Sequence, residues 1–172
     1  FENSIKNGSW EIMQGLNINL NGLTSIAIAS SSGGGKSYLI NQFLKYFKKI
    51  GCKMIIVDGK KDLPAKFAIK HGIKLITNEA NKSDDNILSD VCDELSNLNE
   101  IITQRQNKLF NNQVKEDELI PIVLVFDEIG ALTNLASKNV KDNFFKLLTR
   151  VATLGRQAKV HLLLSSQRFD AN

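Results

Sequence analysis

At 172 residues, with 42% hydrophobic and 23% charged composition, the chain has the make-up of one well-buried soluble domain. Its formal charge of +4 suits a polyanion such as nucleic acid, but so small an excess does not demonstrate one. Cys52 and Cys92 are far apart with only His71 and His161 elsewhere, which argues against a zinc site or disulfide framework, and no apolar run reaches the roughly 20 residues of a membrane helix.

The elements follow from the apolar pattern. Trp10–Met13 reads as a half-buried strand, a blander role for Trp10 than an adenine or base platform. Ser25–Ala29 is a short buried strand, and it runs through the Ser/Gly stretch Ser30–Gly35 into a helical pattern over Tyr38–Lys49. Lys53–Val57 is a second strand ending at the turn signal Asp58-Gly59, a short helix is expected around Leu63–Lys70, and Ile73–Ile76 is a third strand. From Asp84 to Phe110, apolar residues recurring at three and four predict one long amphipathic helix with Ser83 or Asp84 as its N-cap. Pro121–Phe126 is the strongest strand, and it is followed by Asp127 and Glu128. A helix over Val140–Leu154 and a buried strand Val160–Leu164 close the pattern. Strands alternating with helices predict an α/β fold, a mostly parallel sheet with helices on both faces, in a single domain over 1–172.

Two short tracts carry chemistry. Ser30-Ser31-Ser32-Gly33-Gly34-Gly35-Lys36-Ser37 fits the G-x-x-x-x-G-K-[ST] phosphate loop, with Ser30 in place of the first glycine. Backbone N–H groups of such a loop, here Ser32, Gly33, Gly34, Gly35, Lys36, Ser37 and Tyr38, cradle phosphates at the positive end of the following helix. Lys36 would neutralise the outer phosphates and Ser37 would reach Mg²⁺. Asp127, at the end of an apolar strand, reads as the aspartate that holds Mg²⁺ through water, and Glu128 as the base for an attacking water. Asp127-Glu128-Ile129-Gly130 and Asn81-Lys82-Ser83-Asp84 also match two short GTPase patterns. Their order here is reversed from the order in GTPases, which sets that class aside.

Ile122–Leu132 (IVLVFDEIGAL) and Leu147–Ala171 (LLTRVATLGRQAKVHLLLSSQRFDA) resemble the FtsK/SpoIIIE motor family, and the order and spacing of the tracts agree. Within that family the LGRQA tract, the Gln-Arg-x-Asp-Ala ending and the triple glycine are most similar to the coupling ATPases of Gram-positive conjugative elements. Asp58-Gly59-Lys60 with Asp62-Leu63 resembles that group's D-P-K-x-x-D-L tract, with Gly59 where proline is usual, and Phe169 departs likewise from a usual proline. The resemblance implies a RecA-like P-loop NTPase core with the Val160–Leu164 strand between the P-loop strand and the Phe126 strand. That order places Gln167 near the γ-phosphate, where it would sense the phosphate and orient water.

Arg156, and after it Arg150, align with arginines in a tract of motors that complete each active site from the next subunit, although either reads equally well as a solvated surface residue. The resemblance further implies ATP and Mg²⁺ as cofactors and self-association into a ring, a hexamer. It implies DNA of either strand form as partner, with Lys138, Lys141 and Lys146 as candidate contacts, and a conjugation machinery or relaxosome. The piece reads as a cytoplasmic domain without membrane insertion of its own, excised from a longer protein anchored at the cell membrane. Three other readings stay open: a type VII protein-secretion motor, an ATP-binding module without turnover, and a small-molecule kinase.

Overall fold

Near-continuous apolar strands need cover on both faces, and the computed structural model supplies it. It describes residues 5–6, 8–31 and 33–167. The main sheet contains β4 (Ser25–Ala29), β5 (Lys53–Val57), β6 (Lys74–Ile76), β7 (Ile122–Phe126) and β8 (Val160–Ser166), all parallel, in the spatial order β4-β8-β7-β5-β6. β8 thus lies between the P-loop strand and the strand of Phe126, as the family resemblance implied. β7 sits at the centre, and all five of its residues are buried.

Alternation along the strands divides the core in two. Ile55, Val57, Ile122, Leu124, Phe126, Val160 and Leu162 face one side, covered by α3 (Asp84–Phe110), the short α4 (Ile129–Thr133) and α5 (Lys138–Leu154). Ile56, Val123, Val125 and Leu163 face the other, under α1 (Lys36–Lys49) and α2 (Leu63–His71). Phe126 meets Phe144 of α5 edge to face at 5.8 Å, the favoured arrangement of aromatic pairs. Ser83 is the N-cap of α3, its side chain accepting from Asn86 N. That settles the two capping options in its favour, since Asp84 already begins the helix.

A second, antiparallel sheet of β1 (Ile5–Lys6), β2 (Ser9–Met13) and β3 (Leu16–Asn19) precedes β4. Only β2 is legible in the sequence. Trp10 is buried between this sheet and α1, edge-on to Phe43 at 5.1 Å and tilted against Tyr46 at 5.5 Å, so its role is in packing. Tyr46 Oη donates to Gly8 O at 2.7 Å. Lys159 Nζ donates to Asn21 Oδ1 at 2.6 Å, and His161 Nδ1 lies 2.7 Å from Leu23 O. These contacts fix the segment that feeds β4 against β8. Cys92 is buried and Cys52 half-buried, both as free thiols, and burial pushes the Cys52 thiol up to about 12.

Candidate active site

In a parallel sheet the carboxyl ends of the strands share one edge, and ligands bind in the crevice there. Here four neighbouring strands deliver polar residues to that edge: the glycine loop after β4, Ser166 and Gln167 at the end of β8, Asp127 and Glu128 after β7, and Asp58 and Lys60 after β5. Ser31, Gly33, Gly35, Lys36, Ser37, Tyr38, Lys60, Asp127 and Gln167 line a cleft of about 210 Å³. Six of the expected site residues therefore share that one cleft wall with Asp127. Ser32 lies outside the described residues, as does Arg168.

The loop needs its glycines for two different reasons. Gly33 and Gly35 have φ of +80° and +82°, a region that residues with a Cβ avoid. Gly34 is instead confined by its neighbour. Ser30, which replaces the first glycine of the pattern, hydrogen-bonds Ser31 O at 2.9 Å. Its Oγ stands 2.5 Å from where a Cβ on residue 34 would be. A Cβ on residue 34 would require Ser30 Oγ to rotate away and would stand 3.2 Å from Ser31 O. Gly35 then leads directly into α1 with no side chain capping its first amides, which have no partner within the helix.

Lys36 Nζ donates to Glu128 Oε2 at 2.6 Å and to Asp127 O at 3.2 Å. The other carboxylate oxygen of Glu128 accepts from Ser166 Oγ at 3.1 Å and from the backbone N of Gln167 at 3.2 Å. Lys60 Nζ stands 3.8 Å from Oε2. Burial alone would raise the Glu128 carboxyl, but Lys36, the Gln167 amide and Ser166 together hold it below the usual carboxylate range. Glu128 is therefore an ionised carboxylate held on both oxygens and facing the lysine of the loop.

Asp127 is the opposite case. It is buried, its Oδ1 has no hydrogen-bond partner among the described residues, and burial, followed by the negative charge of Asp58, pushes its carboxyl up to about 6 against the pull of Lys36. A buried orphan carboxylate oxygen beside Ser37 fits a hydrated divalent cation, since Mg²⁺ takes one or two protein oxygens and keeps waters and phosphate oxygens for the rest. Among the described residues no group of three or more His, Cys, Asp or Glu could hold a metal by itself.

Lys60 and Ser166 are functional candidates that the residue-by-residue reading did not name. Asp58 explains the placement of Lys60. Its buried carboxylate accepts from the backbone N of Lys60, Asp62 and Ala65 at 2.9, 2.9 and 3.0 Å, closing the turn that leads Lys60 to the cleft and capping the first turn of α2. Nothing at Gly59 forbids a side chain, because a Cβ there would make only ordinary contacts. Arg156 is not brought to the cleft. It is exposed in the turn before β8, at the opposite end of a strand of seven residues, roughly 20 Å away at about 3.3 Å per residue. Arg150 is also exposed and donates to Thr103 Oγ1 at 3.5 Å.

No family model matches the chain. It is 28% identical over 166 residues to the DNA translocase SpoIIIE of Bacillus subtilis strain 168, covering 87% of this chain and 20% of that protein. It is 27% identical over 172 residues to the DNA translocase FtsK of Sporosarcina ureae, covering 90% and 21%. Its sequence relatives are the FtsK/SpoIIIE DNA translocases. The chain spans about a fifth of the length of those two relatives. Among solved structures it resembles the pCW3 conjugation coupling protein TcpA in a monomer form with ATPγS, with a TM-score of 0.69 at 21% identity, covering 91% of this chain and 46% of that one. It also resembles the cytoplasmic domain of EssC, with a TM-score of 0.64 at 16% identity, covering 90% and 30%. The fold of this FtsK/SpoIIIE-like chain is that of P-loop ATPases, and among the described residues no helix is long and apolar enough to cross a membrane.

The state of Asp127 has a measurable consequence in this FtsK/SpoIIIE-like core. Its folded pKa, about 6, lies above the ordinary 3.8, so the folded protein holds a proton there that the unfolded chain releases. Stability from this group is present at low pH and is lost as pH rises towards 6. Asp127→Asn is expected to stabilise the metal-free protein by about 1–3 kcal/mol at pH 7.5, with the gain vanishing near pH 4. Urea unfolding in EDTA across that range measures it, and a destabilised Asn variant at pH 7.5 would contradict the strained-carboxylate account.

Proposed function

We propose that this chain is the ATP-hydrolysing motor core of a DNA translocase, most like the coupling ATPase of a conjugative element. The observation that carries the ATPase reading is the meeting of Lys36 with the buried Glu128 at 2.6 Å, behind a cleft lined by Lys36, Ser37, Asp127 and Gln167. The loop amides from Ser32 to Tyr38 bind the phosphates and Lys36 neutralises the outermost. Ser37 and Asp127 would hold Mg²⁺, which would supply charge stabilisation to the phosphates. An arriving γ-phosphate competes for Lys36 and frees Glu128 from its ion pair. Glu128 then takes a proton from a water positioned with Gln167; the water oxygen bonds to the γ-phosphorus as the bond to the bridging oxygen breaks, leaving ADP and phosphate. Lys60 stands ready as a second cation for the departing charge. Arg156, being remote from its own cleft, serves only the cleft of a neighbouring copy, which is the arrangement a ring, in this reading a hexamer, provides.

DNA as the moved partner and transfer through a conjugation machinery are supported by the translocase relatives and the likeness to TcpA; a relaxosome partner and membrane anchoring of the whole protein complete this reading. Exposed Lys138 and Lys146 with half-buried Lys141 on α5 are candidate phosphate contacts. The likeness to EssC supports a second reading, a type VII secretion motor acting on protein. ATP turnover with and without double- and single-stranded DNA, at concentrations that force rings, separates the two. Stimulation of several-fold by one strand form is expected; turnover indifferent to both DNAs in a demonstrated ring would replace the DNA reading by the secretion reading.

A further inference from the structure

Away from the nucleotide cleft, the outer surfaces of α1 and α2 enclose a groove of about 650 Å³, three times the cleft's volume, lined by Lys45, Lys48, Lys49, Lys66, Lys70 and His71. The helical period brings them together. Lys45, Lys48 and Lys49 are spaced three and four apart on α1, as are Lys66 and Lys70 on α2, so each set occupies one face. Neither helix contains an aspartate or glutamate. Among the described residues no carboxylate pairs with Lys45, Lys66 or Lys70, although such a concentration of like charge opposes folding. Phe67 and Leu63 supply the apolar floor.

His71 registers this field. Its ring packs on Phe67 at 4.4 Å, and its Nδ1 lies 2.8 Å from Lys48 Nζ. Desolvation, then Lys48 and Lys70, hold the imidazole below its usual value, and no carboxylate on either helix offsets them.

We propose that this groove is a binding track for the phosphate backbone of nucleic acid, separate from the lysines of α5 and from the nucleotide cleft. The inference rests on the DNA-motor reading and adds a second surface to it. Lysines are point charges without the fork that reads carboxylates or bases. A row of them therefore fits sequence-independent phosphate contact, and the concave floor follows an extended anionic chain.

The test is fluorescence anisotropy of the full chain with a labelled duplex, across a salt series, for wild type and Lys45→Glu/Lys66→Glu. Lys108→Glu/Lys115→Glu, on exposed lysines outside the groove, is the charge-matched control, and circular dichroism checks folding. The groove variant is expected to bind at least tenfold more weakly at 0.1 M salt, with the slope of log K against log salt reduced by about 2, while the control loses less. In wild type the NMR titration of His71 should move to higher pH when duplex is added. If the two variants lose affinity equally, or neither does, the groove is overturned while the DNA reading stands. If wild type binds no duplex, both fail. If phosphatidylserine vesicles bind in a groove-dependent manner while duplex binding survives Lys45→Glu/Lys66→Glu, the track is for lipid and the proposal is overturned.

Discussion

Glu128→Gln is expected to lower ATP turnover by about 10²–10⁴-fold, the usual contribution of a positioned general base, while ATP binding is retained or tightened. The isosteric amide keeps the side chain's size and an acceptor oxygen for Ser166 Oγ and the Gln167 amide, which now lie 3.1 and 3.2 Å from Glu128. It removes the charge that holds Lys36 at 2.6 Å. ATP then no longer has to break that ion pair before its γ-phosphate reaches Lys36, so the apparent affinity should not fall. Single-turnover hydrolysis and nucleotide titration separate the two effects. A turnover loss of less than tenfold would mean that Glu128 is a structural partner of Lys36 and that the base lies elsewhere.

The second large effect falls on stability, at a residue far from the cleft. Gly155, within the LGRQA tract, ends α5 with an ordinary φ of −69°, so its need for glycine is purely steric. A Cβ there would come within 2.1 Å of Val160 O and 2.7 Å of Val151 O. Neither oxygen can move cheaply, because Val151 O accepts from Gly155 N and Val160 begins β8, which is paired on both edges. Gly155→Ala should therefore cost about 3 kcal/mol or more, lowering the melting temperature by roughly 6–12 °C for a domain of this size. Gly22→Ala, where a Cβ would meet nothing within 4 Å, is the control and should change stability by less than about 1 kcal/mol. Equal melting shifts for the two would remove the steric account. Because β8 carries Ser166 and Gln167 to Glu128, surviving Gly155→Ala protein should also hydrolyse ATP more slowly.

The readable parts of the site are those that backbone pattern dictates locally. A strand, a glycine loop and a helix in that order leave few conformations, and a run of apolar residues ending in Asp127 and Glu128 exposes those carboxylates at a strand terminus. Lys60 and Ser166 were not readable in this way. Lys60 depends on a buried aspartate organising three amides of its turn and of the first turn of α2, and Ser166 depends on β8 extending two residues beyond its apolar stretch, paired there with Ile28 and Ala29 of β4, so that its hydroxyl reaches Glu128. The antiparallel sheet of β1 to β3 was only partly legible, because its strands are short and mostly exposed and are stabilised by Trp10 packing on α1.

By itself, the sequence determined the alternation of strands and helices, the phosphate loop and the acidic pair, since hydrophobic periodicity and glycine's backbone freedom act over a few residues. Tertiary structure alone decided that four strand ends converge on one cleft, that Lys36 is paired with Glu128 while Asp127 Oδ1 is left without a partner among the described residues, and that Arg156 stands at the far end of the sheet. It also decided that lysines from α1 and α2, distant along the chain, share one groove. These depend on strand order and helix packing, which are set by the burial of the whole core and not by any local run of residues.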